Sequence, residues 1–244
     1  MITVQSACLS FDLDGAHHSV LHDISFRIER NESCAVIGPS GCGKTSLLFL
    51  LAGLLEPNSG TIEVSGNRRS GTILQNFGLF PWKTVWQNIS LGLTLLGESK
   101  DRIASRVDNL LDEMGLTGFD NHYPGQLSGG MQQRVALART LAIEPDILYM
   151  DEPLSSLDAL TRERLQNLIL EIWRQKKITT VLVTHSIEEA VFLGRRIIVL
   201  SKRPGSILSI VENPMAGVVD YRKSDAFFHA CTDLREMLKG EQHG

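Results

Sequence analysis

The chain has no long apolar run. Its longest, Leu47 to Leu55, falls far short of the ~20 residues that a membrane-spanning helix needs. It has no paired cysteines either. Cys8, Cys34, Cys42 and Cys231 are scattered and none forms a CxxC pair. That removes zinc and thioredoxin-type readings and fits reduced thiols in a cytosolic setting. Positive charge is not in excess: 24 Lys and Arg stand against 28 Asp and Glu, for a formal net charge of -4. A broadly basic face for nonspecific nucleic-acid binding is therefore not expected. Met1 to Gln5 has no basic region leading into an apolar stretch, so it does not read as a signal peptide. Internal repeats and low-complexity segments are lacking as well. What is present is 244 residues, 43% hydrophobic and 21% charged, enough to bury a sizeable core in one large domain or two small ones.

Ile24, Phe26 and Ile28 alternate with polar residues, the pattern of a half-buried strand, and Asn31-Glu32 makes a turn. Cys34 to Ile37 reads as a short buried strand, and a helix is expected after Gly43 through Leu51. Thr61 to Val64 and Thr72 to Leu74 are further strand candidates, each entered after a glycine. The chain then turns helical from about Trp82 to Ala142, with Ile103, Val107, Leu110, Leu111 and Met114 on one face. Strands return at Ile147 to Met150, Thr180 to Thr184 and Arg196 to Leu200. Leu165, Leu168, Ile169 and Ile172 mark an amphipathic helix among them, and Phe227, Cys231, Leu234 and Leu238 mark another in the tail. Strands alternating with helices predict a parallel α/β sheet carrying an inserted helical subdomain.

Gly38-Pro39-Ser40-Gly41-Cys42-Gly43-Lys44-Thr45 matches the P-loop pattern G-x-x-x-x-G-K-[ST]. Its glycines let the backbone wrap so that consecutive N–H groups point at phosphate oxygens, and the following helix adds its positive end. Lys44 supplies a mobile charge for the β- and γ-phosphates, and the Thr45 hydroxyl is a Mg²⁺ ligand. Cys42, close to a helix N-terminus that favours a thiolate, is expected to react with alkylating reagents unless ATP protects it. Ile147 to Met150 ends in Asp151-Glu152. In a P-loop protein this pattern assigns Asp151 to Mg²⁺ and Glu152 to the attacking water.

Many P-loop proteins share those features. Leu127-Ser128-Gly129-Gly130-Met131-Gln132-Gln133-Arg134 narrows the field, because it resembles the signature segment of ABC ATPases. Gln75 resembles the family's Q-loop glutamine, Leu154-Ser155-Ser156-Leu157-Asp158 its D-loop, and His185 its switch histidine, all in family order. The resemblance covers roughly residues 2 to 211. Leu79-Phe80-Pro81-Trp82 followed by Asn88 is similar to importer subunits for nitrate, sulfonate, taurine or bicarbonate-type anions. Three departures from the family pattern occur. Asn31 replaces a Gly, Thr45-Ser46 replaces Ser-Thr, and Ser155-Ser156 replaces Ser-Ala.

The resemblance implies a RecA-like P-loop core with an N-terminal antiparallel β part and a helical subdomain inserted at about 82–142. The nucleotide-binding domain would span 1–212, with a short extension at 213–244. It implies a head-to-tail homodimer with each ATP between one copy's P-loop (Gly38 to Thr45, with Ser46) and the other's Ser128, Gly129, Gly130 and Gln132, Asp158 contributing. Glu152, His185, Gln75 and Lys44 would carry catalysis; Thr45, Gln75 and Asp151 would hold Mg²⁺; Phe11, ahead of a longer hairpin at Asp14 to His18, would stack on adenine. Partners would be permease subunits on other chains and, through them, an extracytoplasmic solute-binding protein, at the cytoplasmic face of the membrane, with no nucleic acid. Phe80 and Trp82 would help form the groove that receives the permease. Two rival classes are a soluble ABC ATPase acting on DNA or ribosomes and a non-catalytic binding module. The single cassette argues against the first. The presence of Lys44, Asp151, Glu152 and His185 argues against the second.

Overall fold

Apolar residues lie on both faces of the inner strands, and this dictates a sheet covered on both sides. In the computed structural model, which describes residues 1–13, 16–66, 69–155, 157–218 and 220–240, β3 (Ser33–Ile37), β6 (Ile147–Asp151) and β7 (Thr179–Val183) are buried along their whole length. They belong to a six-stranded sheet of order β5-β6-β7-β3-β8-β9. Its other members are β5 (Ser70–Ile73), β8 (Arg196–Leu200) and β9 (Ile207–Glu212). All neighbours run parallel except β9, which closes the edge antiparallel to β8. Side chains alternate between two cores. Ala35, Ile37, Leu148 and Met150 face the larger, and Cys34, Val36, Ile147 and Tyr149 face the smaller.

The smaller core is closed by α1 (Lys44–Leu51) and by the N-terminal sheet β2-β1-β4. In that sheet β1 (Ile2–Leu13) pairs antiparallel with β2 (Ala16–Ile28) and with β4 (Ser59–Val64). Ile24, Phe26 and Ile28 are buried as their alternation predicts. Asn31 takes φ 60, the left-handed turn expected where the family pattern has glycine. Asp14 and Gly15, within the expected hairpin, lie outside the described residues, as does Ser156.

The larger core is closed by the helical insert: α2 (Val85–Leu95), α3 (Lys100–Glu113) and α4 (Gly129–Ala142). Thr84 and Gln87 form a capping box on α2, and Ser99 caps α3. Asn88 is fully buried in α2 and is wholly engaged with the preceding loop. It accepts from Phe80 N at 2.9 Å and donates to the carbonyls of Phe80, Lys83 and Thr84 at 3.2, 3.0 and 3.0 Å. The pairing of Phe80-Pro81-Trp82 with Asn88 in the sequence thus has a structural cause: the amide holds that loop in shape.

Beyond these lie α5 (Ala159–Lys176), α6 (Ile187–Leu193) and α7 (Asp225–Gly240). α7 packs on α6 and buries Phe227, Cys231 and Leu234, the face read from the sequence. Buried Asn213 donates to the carbonyls of Val191 and Gly194 at 2.7 and 2.9 Å and accepts from the Tyr221 hydroxyl at 2.9 Å. The tail is therefore bonded to the core. Among the described residues no helix is long and apolar enough to cross a membrane.

Candidate nucleotide site

Parallel strands bring their carboxyl ends to one edge, the usual ligand edge of an open α/β sheet. Here β3 delivers the P-loop, β6 delivers Asp151 and Glu152, and β7 delivers Thr184 and His185. The register aligns them, with Asp151 beside Val183 and Val183 beside Val36. Residues 106 apart in sequence thereby meet: the Thr45 hydroxyl donates to Asp151 Oδ1 at 3.0 Å.

Two glycines of the loop take backbone angles that favour glycine. Gly41 and Gly43 take φ 76 and 105, and a Cβ on Gly43 would come within 2.8 Å of Leu21. Lys44 is buried, and its Nζ donates to the carbonyls of Gly38 and Pro39 at 3.0 and 2.9 Å. Burial raises the Asp151 carboxyl above its ordinary range. The Thr45 hydrogen bond opposes that rise, the neighbouring Glu152 charge adds to it, and Lys44 opposes it.

Glu152 sits in the left-handed region at φ 44, held there by its N–H donating to Val183 O at 2.9 Å. Non-glycine residues at positive φ are uncommon and cluster at functional sites. Glu152 Oε2 lies 3.1 Å from His185 Nδ1 and accepts a long 3.5 Å contact from Gln75 Nε2. Phe11, 38% exposed, shares a cavity of about 380 Å³ with Val20, the P-loop residues Ser40, Gly41 and Gly43 to Ser46, and Glu152. Gln75 and Asp151 line a second cavity of about 340 Å³ with Phe49.

One expectation fails. Cys42 points away from the loop into the smaller core, where its sulfur would be 2.8 Å from any Cβ on Gly38. Burial pushes its thiol up, outweighing Lys44 and the backbone N–H groups that favour the thiolate. The thiol is therefore expected to resist alkylation with or without ATP, and only the backbone of Cys42 belongs to the loop. The Gln132 side chain is likewise committed elsewhere, donating to the carbonyls of Pro124 and Leu127 at 3.1 and 3.3 Å.

The signature segment does not meet the P-loop within one chain. Ser128 caps α4, accepting from Met131 N at 3.3 Å; Ser128 and Gly129 are exposed, and none of the segment lines the P-loop cavity. Buried Gly130 packs against α5, where a Cβ would come within 2.6 Å of Thr161. Asp158 caps α5, and the Thr161 N–H at 3.0 Å holds its carboxyl below the usual range. Arg162 donates to the carbonyls of Leu154 and Leu157 at 3.3 and 2.6 Å, bracing that loop.

Sequence reasoning missed Arg203, which also lines the P-loop cavity. It follows β8, whose carboxyl end emerges at the same edge because β8 pairs parallel with β3. That adjacency is not readable from the chain. A larger concavity of about 720 Å³ lies between α5 and the segments 217–218 and 220–223. Arg222 is paired there with Glu163, and Lys223 with Asp220, each at 2.8 Å.

Thr45, Asp151 and Gln75 offer hard oxygen donors and few of them, which suits Mg²⁺ shared with substrate phosphates and water. Among the described residues no group of three or more His, Cys, Asp or Glu could hold a metal by itself.

The model of the family described as ABC transporter matches residues 21–155. The taurine import ATP-binding protein TauB of Jannaschia sp. (strain CCS1) is 45% identical over 98% of this chain and 88% of its own length. The nitrate import ATP-binding protein NrtD of Synechocystis sp. (strain ATCC 27184 / PCC 6803 / Kazusa) is 41% identical over 91% of this chain and 89% of its own. The dimeric post-hydrolysis structure of the ATP-binding cassette MJ0796, bound to ADP and Pi, superposes with a TM-score of 0.79. It is 28% identical and covers 87% of this chain and 98% of that one. With a P-loop, a carboxylate-tipped strand and a separate signature helix on a fold of this kind, the chain belongs to the ABC transporter family and is one of its ATPase cassettes.

Proposed function

We propose that this cassette powers import of a small anion of the nitrate, sulfonate or taurine class, working as a head-to-tail pair at the cytoplasmic face of a membrane. The observation that carries the pairing is the separation of the two anion-binding devices. The P-loop cavity holds Lys44, Thr45 and Glu152, while Ser128 and Gly129 stand exposed away from it. A helix start with free N–H groups and a hydroxyl is a phosphate site awaiting a phosphate. A second copy supplies one when each P-loop faces the other's signature.

In this reading Thr45, Asp151 and Gln75 would hold Mg²⁺, which would supply positive charge against the nucleotide's phosphates. Lys44 leaves the Gly38 and Pro39 carbonyls for those phosphates. Glu152 orients and deprotonates the water, and His185, beside it, stabilises charge on the γ-phosphate. Phe11 stacks on the adenine. Phosphoryl transfer is mostly positioning and charge stabilisation, so its parts can be split between two chains. Residues 1–212 form the nucleotide-binding unit and 213–244 an extension to it. The solute class rests on the names of the two relatives. The partners are permease subunits and, through them, a solute-binding protein; nucleic acid is not among them. The test is uptake by the complex reconstituted in vesicles. We expect taurine or nitrate uptake that requires ATP on the cassette side; ATP-independent uptake, or salt-sensitive DNA binding by the cassette, overturns it.

The permease surface has its own test. Trp82 is 69% exposed and meets half-buried Phe80 edge to face at 5.5 Å, in the loop that Asn88 holds. An exposed aromatic pair on a fixed loop suits docking. Trp82→Glu is expected to change the isolated chain's stability by no more than ~0.5 kcal/mol, to leave ATP binding intact, and to prevent assembly with the permease. Melting several degrees earlier, or normal assembly, removes Trp82 from that surface.

A further inference from the structure

Resting on the nucleotide site proposed above, we infer that Arg203 is a nucleotide-binding residue. From a loop strapped to the P-loop, it grips the adenosine half of ATP. The strap is built from backbone. Gly205 N donates to Val20 O at 2.8 Å, and His22 N donates to Gly205 O at 2.9 Å. Gly205 lies flat on the P-loop: a Cβ there would fall 2.2 Å from Cys42 O, so the position admits only glycine. Arg203 is pinned from the other side, its Nε donating to Ser19 O at 2.9 Å. One loop thus clasps β2 on both sides of Val20, itself a lining residue of the cavity.

That anchoring fixes which end of the nucleotide Arg203 serves. Ser19 is the neighbour of His18, and His18 is the cross-strand partner of Phe11. Arg203 is therefore tied beside the aromatic of the cavity, while Lys44 and Thr45 occupy its phosphate end. Its Nε is committed, and no partner within the described residues engages its two Nη groups. A planar guanidinium held by one edge can lie against a purine ring and donate to ribose oxygens. An arginine that served only as a strap would not need to line the cavity.

Binding of three ligands to the full chain, each with Mg²⁺, tests this: ATP, ADP and inorganic tripolyphosphate, which has phosphates but no adenosine. We expect Arg203→Ala to weaken ATP and ADP alike by roughly tenfold, the size of a lost charge-assisted contact, and to leave tripolyphosphate within roughly twofold. Retained tripolyphosphate binding also shows that the P-loop is intact. If Arg203→Ala does not fold, Arg203→Gln keeps a donor for Ser19 O and should show the same split. Arg203→Lys keeps the charge without the planar fork and should remain weak for ATP. The inference is overturned by unchanged ATP affinity, by equal weakening of tripolyphosphate, or by full rescue with Lys. Lys44→Ala distinguishes the underlying site: if it spares both ATP and tripolyphosphate, the nucleotide site is misplaced and the fault lies there.

Discussion

Glu152→Gln is expected to lower ATP hydrolysis by the assembled complex at least ~100-fold while ATP still binds. The substitution keeps the size of the side chain and the left-handed backbone, φ 44, that aims it. It also keeps an oxygen able to face His185 Nδ1, now 3.1 Å from Glu152 Oε2. It removes the basic oxygen and one negative charge. The charge matters for binding, because Glu152 helps raise the carboxyl of Asp151 beside it. With an amide in its place, the phosphates meet one repulsive group fewer. ATP affinity should therefore hold or increase. Phosphate release at saturating ATP, set beside a binding titration, checks both halves. Turnover within a few-fold of wild type would sink the assignment of Glu152 as base. Loss of binding would instead assign it to the phosphate cradle.

The sheet and most of its helices were legible because their signals are local. Cys34 to Ile37 is a continuous apolar run, as a strand buried on both faces must be, and all of β3 is buried. The faces of α3, α5 and α7 follow the helical period. β9 and α6 were not read. β9 lies at the sheet edge, half-buried, and α6 has seven residues, too few for a period to declare itself. The site divides along the same line. The P-loop and the Asp151-Glu152 tip are contiguous motifs, and the sheet register explains why they converge. Side-chain direction is a tertiary property. Cys42 lies where a helix N-terminus lowers a thiol's pKa, yet its sulfur faces the smaller core and desolvation wins. Arg203 reaches the cavity only because β8 runs parallel beside β3, a pairing of strands some 160 residues apart that no local pattern encodes.

Lys44→Ala is expected to abolish tight ATP binding with little cost to the fold. Lys44 is a buried cation whose Nζ has only two backbone carbonyls, Gly38 O at 3.0 Å and Pro39 O at 2.9 Å, as partners. Those carbonyls neutralise nothing, and Asp151 acts on the cation without a direct ion pair among the described residues, which leaves the charge open to phosphate. Removing it frees two loop carbonyls close to solvent and puts alanine, the best helix former, at the first position of α1. For the nucleotide the loss is one-sided. Hydrogen bonds to a charged group contribute ~1.5–3 kcal/mol each, and losing the equivalent of even one strong contact weakens affinity on the order of 100-fold. Thermal unfolding with and without MgATP reads the effect. At a ligand concentration 100 times the wild-type Kd, binding stabilises the folded state by about 2.7 kcal/mol, whereas a 100-fold weaker variant gains about 0.4 kcal/mol. The ATP-dependent rise in Tm should therefore nearly vanish while the ligand-free Tm stays close to wild type. A rise of wild-type size in Lys44→Ala would mean that the phosphates are held elsewhere than in this loop.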